Sequence, residues 1–73
     1  MMLKYIVPDE FKKLFNNDIL YCKVLNDFEI NNKQVYLVKM INYKNRTNVF
    51  AEDELQKCNL LDRIKILKYR RID

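Results

Sequence analysis

The chain has no glycine among its 73 residues. Turns that call for a left-handed backbone must therefore be made by residues that carry a Cβ, and asparagine tolerates that conformation best. The same absence excludes Gly-rich phosphate-binding loops. Histidine is absent too, which removes histidine general bases and His-containing zinc sites.

The length allows one domain, residues 1–73, burying only about 60–65% of its unfolded surface. Apolar residues make up 49% and charged residues 33%, a globular balance rather than a disordered one. No run is long and apolar enough for a membrane span, and the charges from Lys4 to Lys13 do not fit a secretion leader. Two cysteines without a leader imply a reducing, cytoplasmic setting in which Cys22 and Cys58 stay unpaired. Asn, Lys and Ile supply 26 of the 73 residues, whereas Ala and Pro occur once each. That usage follows A/T-rich codons and points to a low-GC bacterium or its phage, so part of the lysine content reflects source.

Pro8, Asp9 and Glu10 suit the first turn of a helix over Pro8–Phe15, with Phe11, Leu14 and Phe15 on one face. Ile19–Ile30 reads as a strand with Leu20, Cys22, Val24, Phe28 and Ile30 on one side. Asn31-Asn32-Lys33 is a turn. Gln34–Tyr43 is a strand apolar on both faces, hence interior to a sheet and covered on each side. Lys44-Asn45-Arg46 forms a second turn before a strand Thr47–Ala51, read with Val49 and Ala51 inward and Phe50 opposite. Ala51–Gln56 is a polar or single helical turn closed by Leu55. In the last segment, strand periodicity near Arg63–Tyr69 is preferred to a helix, which would align Leu60, Ile64 and Leu67. The expected core is Phe11, Phe15, Leu20, Val24, Phe28, Val35, Leu37, Val38, Met40, Val49, Leu55 and Ile64. The expected fold is α+β, mostly β: a short N-terminal helix on a bent antiparallel sheet of three to five strands.

The stretch Val35–Leu55, VYLVKMINYKNRTNVFAEDEL, has a long apolar strand, a polar turn, a short strand ending Val-Phe-Ala, and an acidic turn closed by leucine. This pattern resembles SH3-like small β-barrels, in which a 3-10 turn precedes the last strand. The resemblance implies a barrel and a binding module, and fold alone does not fix function.

Charge is striped along the chain. Asn31–Ala51 holds Lys33, Lys39, Lys44 and Arg46 with no acid, Glu52–Asp62 is acidic, and Arg63–Asp73 has five cations against one acid. Tyr43, Lys44, Arg46 and Phe50, together with Arg63, Lys65, Lys68, Arg70 and Arg71, are the candidate contact residues. Their aromatic rings and cations suit a partner or nucleic-acid surface. Tyr43 and Phe50 are expected outside the core. Glu52-Asp53-Glu54 is expected to start a helical turn rather than hold a cation. No cofactor, metal or catalytic residue is expected, because no nucleophile–base spacing is present and so short a chain forms no deep cleft.

These features point to a small non-catalytic protein-binding module, phage- or mobile-element-encoded, that modulates or inhibits a larger protein. Nucleic-acid binding through the basic C-terminal segment and exposed aromatics is the alternative. A homodimer covering the second face of Gln34–Tyr43 is a third possibility, and no membrane partner is expected.

Overall fold

The computed structural model describes the backbone of residues 1–72 and the side chains of residues 1–69. Strand β1 (Met2–Ile6) leads through Pro8 into a 3-10 turn, Asp9–Phe11, and a short helix α1, Lys12–Phe15. Strands β2 (Ile19–Ile30), β3 (Lys33–Met40) and β4 (Arg46–Ala51) form a meander. A 3-10 turn, Glu52–Glu54, precedes β5 (Gln56–Lys57), and helix α2 (Leu60–Ile72) follows. The five strands make one antiparallel sheet in the order β4-β3-β2-β1-β5. The expected fold class, N-terminal helix, β2 bounds and Asn31-Asn32 turn are thus observed, whereas β3 ends at Met40 rather than Tyr43, so the second turn spans residues 41–45 and Arg46 opens β4. The 3-10 turn before the last strand agrees with the SH3-like pattern, but closure does not follow. The sheet stays open, with β4 and a two-residue β5 as its edges, because the chain leaves β5 at once to begin α2.

Asparagine replaces glycine where φ turns positive. Asn16 ends α1 at φ 54°, and Asn31 and Asn32 close the β2–β3 turn at 51° and 65°. The β3–β4 turn has Lys44 and Asn45 both at 54°. For lysine this conformation costs on the order of 1 kcal/mol. Lys44→Gly is therefore expected to stabilise the domain by about 0.5–1 kcal/mol, seen as a higher urea midpoint at unchanged slope. A lower midpoint would refute the assignment.

One face of the sheet carries the core: Leu20, Cys22, Val38, Met40 and Phe50, closed by Val7 and by partly buried Tyr5, Phe15 and Tyr43. Four sequence expectations fail here. A bulge between Val24 and Asn26 shifts the register, pairing Val24 with Val38 but Asn26 with Leu37. Beyond it the alternation inverts, so Phe28 and Ile30 leave the side of Leu20 and Cys22 and are exposed. In β4 the register sets Phe50 opposite Tyr36 and Val49 opposite Leu37. Phe50 is consequently buried at 6% exposure, stacked 4.5 Å from Tyr5, and Val49 is the exposed neighbour. Phe50 is a core residue, not a contact residue. Finally, Leu60–Ile72 is a helix, with Ile66 buried and Ile64 exposed. Phe11, also expected inside, is exposed.

The edge strand β4 is shielded by its own side chains. Val49 N–H donates to Asn48 Oδ1 at 2.8 Å, and Ala51 N–H donates to Glu54 Oε1 at 3.0 Å. On the stretch of β2 that runs past β1, Asp27 N–H donates to Asn26 Oδ1 at 2.9 Å.

Candidate partner-binding site

Helix α2 begins with a reciprocal cap. Asn59 Oδ1 accepts the Asp62 N–H and Asp62 Oδ2 accepts the Asn59 N–H, each at 2.9 Å. Asp62 is also the anchor of the helix on the sheet. Lys4 Nζ donates to Asp62 Oδ2 at 2.7 Å, and the Tyr21 hydroxyl donates to Oδ1 at 3.2 Å. Tyr69, two turns on, brings its ring 6.2 Å from Tyr21. Tyr21 lies between Leu20 and Cys22 in β2, so it points away from the core cluster. Helix α2 therefore packs on the opposite face of the sheet.

The environment of this anchor explains its ionisation. The hydrogen bond from Lys4 holds Asp62 below the usual carboxylate range, against the opposing effect of burial. Burial, then the nearby Asp62 carboxylate, pushes the Tyr21 hydroxyl up to about 12 and keeps it a donor. Burial also raises the Cys22 thiol to about 12 and, with Asp62, raises the half-buried Cys58.

The chain matches no protein-family model, no curated protein and no solved structure.

A helix held through Asp62, Ile66 and Tyr69 turns its other side outward. That side carries Leu60, Ile64 and Leu67 at i, i+4 and i+7, with 76%, 49% and 55% of their surface exposed, and Leu61 beside them at 59%. Such spacing normally marks the buried side of a helix. Arg63, Lys65 and Lys68 are exposed on the same helix. Asp62, the helix's acid among the described residues, is occupied by Lys4. The outward surface of α2 is therefore a leucine and isoleucine row with basic flanks. Arg70 and Arg71 belong to the helix, but their side chains lie outside the described residues.

The other candidate residues lie elsewhere. Tyr43 is partly buried against the core, edge-on to Phe15 at 5.1 Å, with the Arg46 guanidinium 5.7 Å from its ring centroid. Lys44 is exposed on the turn beside it. This group sits with the core face, and α2 sits on the reverse, so the two basic clusters do not form one track. Among the described residues, no group of three or more Cys, Asp or Glu converges as metal ligands, and no helix is long and apolar enough to cross a membrane. The anchor residues Lys4, Tyr21 and Asp62 escaped sequence reading. Their one signal was the spacing Asn59-Leu60-Leu61-Asp62, a polar cap and an acid three residues later, leading an apolar run.

Proposed function

We propose that this chain is a small non-catalytic protein-binding module that docks on a larger protein through the outer side of α2 and modulates or inhibits it. The observation that carries this reading is the inverted helix. A 13-residue helix turns Asp62, Ile66 and Tyr69 to the sheet and keeps Leu60, Ile64 and Leu67 in solvent. Exposed apolar rows of this kind with polar rims are the usual mark of an interface. Protein is favoured over nucleic acid because the Tyr43–Arg46 group and the α2 cations lie on opposite faces of the sheet.

The test compares the wild-type chain with a Leu60→Ser, Ile64→Ser double variant as bait in a low-GC bacterial lysate, at low and moderate salt. The wild type is expected to retain one stoichiometric protein partner, and the folded variant to lose it. Equal recovery by both baits would defeat the reading. So would retention that nuclease abolishes, which would establish the nucleic-acid alternative.

A further inference from the structure

Beside the outer row of α2, a groove of about 540 Å³ opens between the helix and the β1–β5 edge of the sheet. Met2, Leu3, Ile66 and Leu67 contribute its apolar lining, and Lys57 and Arg63 are its charged residues. Both cations are exposed, and no acid lines the groove among the described residues. Methionine gives a lining that adapts to differently shaped apolar groups. The volume falls within the range of about 300–1,000 Å³ typical of ligand sites.

We infer that this groove receives an acidic amphipathic segment of the partner protein, whose apolar side chains enter between Met2 and Leu67 while its carboxylates meet Lys57 and Arg63. The inference rests on the protein-binding reading and adds the chemistry of the partner. Charge selects the occupant. Among the described residues, the charges of the groove lining and the exposed charges of the adjoining helix are cations, so an anionic segment gains at both, whereas a cationic one is repelled. A second copy related by two-fold symmetry would set Arg63 and Lys57 against their own counterparts, an arrangement of like charges. Leu67 belongs both to the groove and to the outer row, so one amphipathic segment can span the two.

The groove carries its own reporter. Cys58 lines it and is half-buried, whereas Cys22 is fully buried, so maleimide labelling reads Cys58. The probe is a peptide with leucine at i, i+3, i+4 and i+7 and glutamate elsewhere, compared with the same peptide carrying lysine in place of glutamate. On the wild-type chain the glutamate peptide is expected to bind at least about tenfold tighter, to weaken as salt rises, and to slow Cys58 labelling. A Lys57→Glu, Arg63→Glu variant, both sites being exposed, is expected to invert the preference. The inference is overturned by equal binding of the two peptides, or by no saturation up to about 1 mM. Labelling slowed instead by dodecanoate, or by raising the protein's own concentration, would overturn it in favour of a lipid or a second copy. If Leu60→Ser, Ile64→Ser abolishes partner capture while Lys57→Glu, Arg63→Glu leaves it intact, the docking function stands and the groove assignment falls. If capture is insensitive to Leu60→Ser, Ile64→Ser, the docking function itself falls.

Discussion

Alanine in place of Asp62 is expected to unlatch α2 from the sheet and to lower stability by about 2–4 kcal/mol. The change removes the acceptor of the Lys4 ammonium, the Tyr21 hydroxyl and the Asn59 N–H together. It leaves Lys4, largely buried, with its charge unmatched. A domain of this length has on the order of 4–10 kcal/mol in total, so the loss is large. Urea unfolding followed by circular dichroism measures it. A cycle with Lys4→Met isolates the pair, with an expected coupling of about 1–3 kcal/mol. A loss below about 0.5 kcal/mol would mean that α2 is held by something other than this carboxylate.

The same anchor sets an acid limit. Asp62 ionises more readily in the folded chain than its ordinary value near 3.8, so folding favours the carboxylate. Its contribution is complete above that ordinary value and is lost as pH falls through the lowered folded value. Helix content and the Tyr21–Tyr69 contact are therefore expected to persist at pH 5 and weaken below about pH 4. Asp62→Asn is expected to flatten this acid transition, and an unchanged transition would assign it to other carboxylates.

Phe50→Ala is expected to cost about 3–5 kcal/mol, enough to unfold much of the population, whereas Val49→Ala next to it should cost about 1 kcal/mol or less. The contrast follows from the ladder. Phe50 pairs with Tyr36 on the core side and stacks on Tyr5, and Val49 pairs with Leu37 on the other. Thermal melts of the two variants measure the difference directly. A larger loss from Val49→Ala than from Phe50→Ala would mean that β4 is registered one residue away from the pairing described here.

The extent to which the fold was legible follows from which signals were local. The β2 bounds and the Asn31-Asn32 turn were readable because each rests on neighbouring residues, as did the helix primed by Pro8. The faces of Phe28 and Phe50 were not readable. The first depends on a bulge that inserts one residue into the alternation, and the second depends on the pairing of β4 with β3. Strand β1 was visible as the apolar run Leu3–Val7 but not as the partner of both β2 and β5. The segment of α2 was read as a strand because Ile64 and Ile66 alternate with Arg63 and Lys65, and the residues by which the helix faces the sheet include an aspartate and a tyrosine rather than an apolar row. Sequence reading had already aligned Leu60, Ile64 and Leu67; what it lacked was the knowledge that Lys4 and Tyr21 would draw the opposite side inward.

The hydrogen bonds that Asn48, Glu54 and Asn26 make along the sheet's margins bear on how such a molecule survives at high concentration. A backbone donor already engaged by its own chain offers no vacancy to an incoming strand, which removes these positions from the usual route to cross-β stacking. Each such bond lowers the tendency of copies to pair edge to edge as the chain is concentrated.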